Sequence, residues 1–196
     1  MTSIIFRGDY HATCKNNSYQ YWLPRLALYT GLRLNKLCQL HLSDIKEQNG
    51  IYLFDINDNQ NITLKTASSK RQMPIHSKLI ELGFLDRIKQ LKHQKRIHLF
   101  PELNKTDKTN SPRASKWFAR VQKQLGWINQ TPKLDFHSFR HTVATRLQQH
   151  ELPESRIASI LGHEIGKSDT FNRYGKGYML ETLKADIQKL NFELVR

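Results

Sequence analysis

The sequence is poor in acidic residues, in cysteine and in long apolar runs, and each shortage excludes a class of protein. Its 196 residues include 17 Asp and Glu against 31 Lys and Arg, which gives a formal net charge of +14. This balance excludes an acidic, solvating disordered chain. Cys14 and Cys38 are the only cysteines, and they form neither a disulfide framework nor a CxxC zinc site. We therefore expect two free thiols.

No apolar run approaches the roughly 20 residues that a membrane-spanning helix needs, and the N-terminus lacks the apolar core of a secretory signal. We therefore expect a cytoplasmic protein without a membrane partner. The 38% of hydrophobic residues can supply one core, and the length fits one domain of roughly 100–200 residues. Residues 1–17 are expected to be a flexible N-terminal segment.

The positive charge is concentrated in one part of the chain. Residues 87–133 contain twelve basic and two acidic residues, so they carry +10 of the net charge. Such a density attracts polyanions, because bound phosphates release counterions, although a solvated lysine-rich surface is the alternative. Nucleic acid is the favoured partner. The candidate DNA contacts are Lys70, Arg71, Lys92, Lys95, Arg96, Arg113, Lys116 and Arg120.

Apolar periodicity predicts a mainly α chain with a small three-stranded antiparallel β-sheet. The predicted helices cover 18–28, 32–42, 77–91, 111–125, 137–147, a short segment after Pro153, and 178–190. The predicted strands are IYLFDI, NITLKT and RQMPIH, all within residues 51–76. Gly83 should weaken its helix by about 1 kcal/mol relative to Ala.

Several polar residues stand where packing does not require them. Arg33 begins a predicted helix, where the macrodipole disfavours a cation by about a few tenths of a kcal/mol and favours an anion. His137 and Arg140 are three residues apart, so they share a helix face on which Arg could grip a phosphate and His could move a proton. Ordinary surface residues are the alternative for all three.

Tyr174 lies in FNRYGKG, among small and basic residues rather than apolar ones. A phenol has a pKa near 10 and is a poor nucleophile unless cations stabilise the charge that develops. Arg33, Arg140 and His163 could supply that stabilisation.

Metal binding by His137, His141 and His163 is the competing chemistry. Ser138 stands where HExxH requires Glu, and no acidic cluster offers ligands for magnesium. We therefore expect neither a metal nor another cofactor.

Five motifs in order resemble the catalytic domain of tyrosine recombinases, the phage and prophage integrase family. They are TGLRLNKLCQLHLSDI, LKTASSKRQMPIH, HSFRHTVATRL, ILGH and FNRYGKG, and the resemblance runs from about Tyr19 to Leu190. It implies the DNA breaking-rejoining fold and a site-specific recombinase that forms a 3′-phosphotyrosyl intermediate without metal or ATP.

The resemblance also implies a role for individual residues. Arg33 and Arg140 correspond to the two catalytic arginines, and His163 to the histidine of the LGH motif. Lys65 corresponds to the hairpin lysine that protonates the leaving oxygen, with Lys70 as the alternative acid. His137 is implied as general base or hydrogen-bond partner of the phosphate, and Tyr174 as the nucleophile.

The chain departs from the family pattern in two ways. Lys36 stands where the family usually has Glu or Asp, which would place like charge beside Arg33 unless the side chain turns away. In addition, no segment matches the N-terminal core-binding domain, so we expect a single catalytic domain over 1–196. Its C-terminal helix, within 178–196, could pack on its own domain or in trans.

The implied partners are double-stranded DNA at attachment sites, other protomers in a synaptic tetramer, and DNA-bending host factors or a directionality factor. The implied location is the nucleoid of a bacterial host carrying a prophage or mobile element. An impaired or non-catalytic DNA-binding module of the same fold is the alternative function. Relaxation of DNA by a type IB topoisomerase-like activity is a third interpretation with the same chemistry.

Overall fold

Short helices and one small sheet make up the computed structural model, which describes residues 18–57, 70–103, 111–127, 134–163 and 177–192. The predicted fold class, mainly α with a three-stranded antiparallel sheet, is confirmed. The described elements are α1 (Ser18–Thr30), α2 (Leu34–Gln39), a 3₁₀ turn (Leu42–Asp44), β1 (Ile45–Gln48), β2 (Ile51–Ile56), β3 (Arg71–Pro74), α3 (Ser77–Glu81), α4 (Phe84–His93), α5 (Ser111–Gln124), α6 (Ser138–Gln149), α7 (Glu154–Leu161) and α8 (Leu180–Gln188).

The sheet has the order β1-β2-β3, with both neighbouring pairs antiparallel. Its first strand was not predicted: β1 precedes the expected β-rich region and pairs with β2 from Ile45 opposite Phe54 to Gln48 opposite Ile51. Asn49 and Gly50 both have positive φ, 52° and 70°, as a two-residue hairpin turn of this kind requires. The predicted strand NITLKT lies outside the described residues, as does the segment 1–17.

Two predicted helices are shorter than expected. The helix predicted over 32–42 ends at Gln39, because the chain then becomes extended and His41 forms a bridge with His98. The helix predicted over 77–91 is divided at Gly83, whose φ of 86° lies in the left-handed region. The apolar spacing continues across this break because Leu79, in α3, and Phe84, in α4, are both buried in the same core.

The later amphipathic helices follow the predicted pattern. Helices α5, α6 and α7 bury the expected apolar side chains, which are Trp117, Phe118, Val121, Phe139, Val143, Leu147, Ile157, Ile160 and Leu161. Helix α1 is buried along most of its length and packs against α6. Helix α8 packs against β3, and the ring of Phe192 beyond it meets Tyr29 edge-on at 5.4 Å.

Burial raises the pKa of the Cys38 thiol to about 12, and Cys38 does not form a disulfide. It is therefore an unreactive core residue; Cys14 lies outside the described residues. Within the described ranges, no helix is both long enough and apolar enough to cross a bilayer.

The turn between α1 and α2 is packed tightly around Gly31. Thr30 closes α1 by donating its hydroxyl to the Leu26 carbonyl and accepting a hydrogen bond from the Leu32 amide. Gly31 has a φ of 62°, and a Cβ there would lie 2.5 Å from Leu161 Cδ2. Only glycine fits, because the backbone is left-handed and α7 presses against it.

We predict that Gly31→Ala destabilises the protein more than Gly83→Ala. Both substitutions place a side chain on a left-handed backbone, which costs about 1–2 kcal/mol. The Cβ at 83 would meet nothing within 4 Å, whereas the one at 31 should add about 1–3 kcal/mol of overpacking. Urea unfolding followed by circular dichroism measures both changes, and equal losses would show that Leu161 moves aside freely.

Candidate active site

The guanidinium of Arg140 lies at the centre of the candidate site. Arg140 belongs to the first turn of α6 and is only 4% exposed. Its Nη1 donates a 2.9 Å hydrogen bond to the Gly31 carbonyl, whereas its buried Nη2 finds no hydrogen-bond partner within the described structure. A buried, charged N–H without a partner is costly, so this side of the guanidinium is suited to receive an anion.

Arg33 lies at the mouth of the same site. It is the N-cap residue of α2, as predicted, and its side chain is exposed. Burial, followed by the charge of Arg33, lowers the pKa of Arg140 to about 10. Arg140 is therefore positively charged at neutral pH, although the neighbouring Arg33 disfavours that charge.

The two histidines border this pair of arginines. His137 is the N-cap of α6 and its ring meets that of His141 edge-on at 4.8 Å. Desolvation and the charges of His141, Arg140 and Arg33 lower the pKa of His137 below 6.5, which the charge of Asp135 only partly offsets. A neutral imidazole, able to accept a proton, is the expected form at pH 7.

His163 follows α7, where Gly162 ends the helix in the left-handed conformation with a φ of 68°. The His163 amide donates to the Ala158 carbonyl at 3.0 Å, which fixes the backbone at this position. Desolvation and then the charges of Arg140, Arg33, Arg71 and His137 lower the pKa of His163. The predicted residues Arg33, His137, Arg140 and His163 therefore lie within electrostatic range of one another.

Arg71 also belongs to this cluster, although the sequence indicated it only as a candidate DNA contact. It begins β3, and its Nε donates a 2.9 Å hydrogen bond to the Ile160 carbonyl, 89 residues further along the chain. Burial and the charges of Arg140 and Arg33 lower its pKa to about 9. Apolar periodicity does not predict the contact between Arg71 and Ile160, because it reports only neighbours that are close in the sequence.

The site gathers five basic side chains with little compensating negative charge among the described residues. We call this set the basic cluster; it consists of Arg33, Arg71, His137, Arg140 and His163. Among the described residues, no carboxylate contributes to the shifted pKa values of Arg71, Arg140 or His163. Like charges gathered in a partly desolvated site favour a bound anion, and guanidinium groups match phosphate geometry. The arrangement can therefore bind a phosphate group and stabilise negative charge that develops on it.

Lys36 does not extend freely toward solvent. Its Nζ donates a 2.9 Å hydrogen bond to the carbonyl of Asn57, at the end of β2. The cation that replaces the usual carboxylate therefore joins α2 to the sheet.

A groove of about 670 Å³ runs along α6 and is lined from Leu134 to Gln149. His137, His141, Thr145 and Arg146 contribute to its wall, which offers hydrogen-bonding groups as well as apolar surface. Lys65 and Tyr174, the predicted acid and nucleophile, lie outside the described residues.

The candidate DNA contacts are mostly exposed. Arg71 differs, because its guanidinium is half-buried and bound to the end of α7. Arg113 reaches the Glu102 carbonyl through Nη1 at 3.2 Å. The exposed members are Lys70, Lys92, Lys95, Arg96, Arg113, Lys116 and Arg120.

The phage integrase family model matches residues 10–179 of the chain. This range contains all six residues to which the motifs assign a catalytic role, including Lys65 and Tyr174. No curated protein and no solved structure gives a significant match.

We predict that the free protein loses stability as the pH falls below about 6.5. The pKa values of His137 and His163 lie below 6.5 in the folded chain, so the unfolded chain binds more protons in this range. The stability that the neutral imidazoles contribute is complete above pH 6.5 and is lost as the pH falls through the folded pKa values.

Urea unfolding at pH 7.5 and 5.5 measures this loss. His137→Gln and His163→Gln should each reduce the difference between the two pH values, whereas His93→Gln, at an exposed position of α4, serves as the matched control. Burial also lowers the pKa of His76, and this contribution is common to every variant. An unchanged pH dependence in both site variants would show that desolvation and the neighbouring arginines do not disfavour protonation of these imidazoles.

Proposed function

The chain belongs to the phage integrase family, and on this premise we propose that it cuts and rejoins DNA as a tyrosine site-specific recombinase of a prophage or mobile element. The observation that carries the proposal is the buried guanidinium of Arg140, held by Gly31 on one side and unpartnered among the described residues on the other. A scissile phosphate would satisfy it.

In the proposed reaction, the Tyr174 oxygen attacks the phosphorus of one DNA strand. The bond from phosphorus to the 5′-oxygen breaks as the 3′-phosphotyrosyl bond forms, and the leaving oxygen takes a proton to become a 5′-hydroxyl. A 5′-hydroxyl from a partner strand then attacks the phosphotyrosine and releases Tyr174. One phosphodiester is exchanged for another, so the cycle needs no ATP.

The basic cluster supplies the electrostatic part of this catalysis. Arg33, Arg140 and His163 would donate hydrogen bonds to the nonbridging oxygens, where a preorganised donor contributes about 3–4 kcal/mol to the transition state. The lowered pKa of His137 leaves it neutral at pH 7, so it can accept the phenol proton or hydrogen-bond to the phosphate.

The order of the motifs supports the assignment of Tyr174. FNRYGKG follows ILGH as in the family pattern, and Tyr174 comes eleven residues after His163 in the sequence.

Lys65 is the proposed general acid, because Lys-Thr in LKTASSKRQMPIH fits the family motif. In the sequence it lies six residues before Arg71. Lys70 is the alternative, and it is exposed beside Arg71 at the start of β3.

The partners belong to the proposal as well. DNA attachment sites would lie across the exposed basic residues, and other protomers would complete a synaptic tetramer, with DNA-bending host factors or a directionality factor assisting. We further propose a nucleoid location. Although α8 packs on its own sheet, residues beyond it could still pack in trans.

An impaired DNA-binding module is the second candidate function, and Lys36 is the observation that favours it. A carboxylate at position 36 would support the basic cluster. Lys36 instead donates a hydrogen bond to the Asn57 carbonyl. Relaxation of supercoiled DNA would follow from the same chemistry if the cleaved strand rejoined its own end.

We predict that the protein forms a covalent adduct with nicked duplex DNA and that Tyr174→Phe abolishes it. The test uses a pool of random-sequence duplexes, each nicked so that the cleaved end diffuses away, at low salt to favour phosphate contacts. Adducts that survive SDS gel electrophoresis are counted and their DNA is sequenced. Tyr178→Phe is the matched control and should retain the adduct, since it removes a phenol oxygen that hydrogen-bonds to Ser155 and has no proposed part in the chemistry.

The outcome also separates the two candidate functions. DNA binding by the unmutated protein without any adduct would reject the recombinase and support the DNA-binding module. Adduct formation should persist in EDTA, and its loss there would contradict a mechanism based on the protein's own basic groups.

A further inference from the structure

Arg71 connects the sheet to the end of the helix that carries His163. Its Nε donates a 2.9 Å hydrogen bond to the carbonyl of Ile160, in the last turn of α7. Carbonyls in the last turn of a helix lack an intrahelical donor and carry partial negative charge. A guanidinium at this position therefore satisfies the helix end and joins it to β3.

The same guanidinium lies directly against the backbone of Gly162. A Cβ at that position would lie 2.8 Å from the Arg71 Cζ, and closer still to Nη1. With a φ of 68°, Gly162 also adopts the conformation that ends α7. The contact thus fixes the residue that immediately precedes His163.

The position is electrostatically unfavourable for a cation in the free protein. Burial and the charges of Arg140 and Arg33 lower the pKa of Arg71 to about 9. Ending α7 does not by itself require a cation that lies close to Arg140 and Arg33. The contacts with Ile160 and Gly162, together with an anion bound by the cluster, would offset this cost.

We propose that Arg71 is a positioning residue for strand transfer, which holds the end of α7 on β3 and thereby sets His163 beside Arg140. The proposal rests on the recombinase function proposed above. It assigns Arg71 an indirect role, because its Nε is bound to protein and its guanidinium covers Gly162. DNA affinity should therefore depend less on Arg71 than the cleavage rate does.

The activity test compares Arg71→Gln and Arg71→Lys with Lys184→Gln. Lys184 is exposed on α8, so its substitution removes one surface charge as the matched control. Arg71→Gln should slow adduct formation at saturating nicked DNA at least tenfold, while changing Kd no more than Lys184→Gln does. Arg71→Lys should recover only part of the rate, because an ammonium cannot both bind the Ile160 carbonyl and cover Gly162.

A second readout needs no cleavage. The groups that act on His163 are Arg140, Arg33, Arg71 and His137. In NMR titrations of the free protein, Arg71→Gln should shift the His163 midpoint to higher pH, because one of these cations is removed. Lys184→Gln should leave the midpoint unchanged.

The two readouts separate failure of this proposal from failure of the recombinase function. If the unmutated protein forms no adduct, the proposed function fails, whereas the NMR titration still tests the placement of Arg71. A saturating cleavage rate and a His163 midpoint that both stay unchanged in Arg71→Gln would overturn the proposal. If circular dichroism shows that Arg71→Gln is unfolded, a wild-type cleavage rate in folded Arg71→Lys would overturn it instead.

Discussion

The hydrogen bond from Arg140 to the carbonyl of Gly31 is the contact on which the rest of the site depends. It joins positions 109 residues apart and fixes a buried guanidinium at the start of α6. The carbonyl can accept it because Gly31 turns the chain through a left-handed conformation, and Leu161 presses on that turn from α7. The turn at Gly31 also leads directly into α2, so one turn positions both Arg33 and the Arg140 guanidinium.

Repulsion between basic side chains makes the site suited to an anion and lowers the stability of the free protein. Three arginines and two histidines lie together with little carboxylate compensation among the described residues. Desolvation and then the neighbouring cations lower the pKa of both imidazoles, so both are neutral at pH 7. A free protein with this arrangement is less stable than it could be. When a phosphate binds, attraction to its negative charge offsets the repulsion between the cations of the site. The arrangement therefore favours a site built for the charge that appears during phosphoryl transfer.

Local features could be predicted from the sequence, and features that depend on distant contacts could not. The amphipathic helices α5, α6 and α7 follow from apolar spacing, and Arg33, His137, Arg140 and His163 from ordered motifs. The β1–β2 turn was missed although Asn49-Gly50 is a strong hairpin signal. Apolar periodicity predicted one continuous helix across Gly83, because both halves face the same core, but the chain breaks at Gly83. Arg71 was predicted only as a DNA contact, and its place in the basic cluster could not be predicted because its partner Ile160 is 89 residues away.

The central claim is that the buried Arg140 guanidinium is an anion site, and phosphate binding to the free protein tests it most directly. The measurement is the unfolding temperature at pH 7.5 in sodium phosphate, against sodium chloride at equal ionic strength, for the unmutated protein and Arg140→Gln. A ligand that binds only the folded state raises its stability. We expect phosphate to raise the unfolding temperature of the unmutated protein above the chloride value and to give no such excess in Arg140→Gln. An equal excess in both proteins would contradict the account.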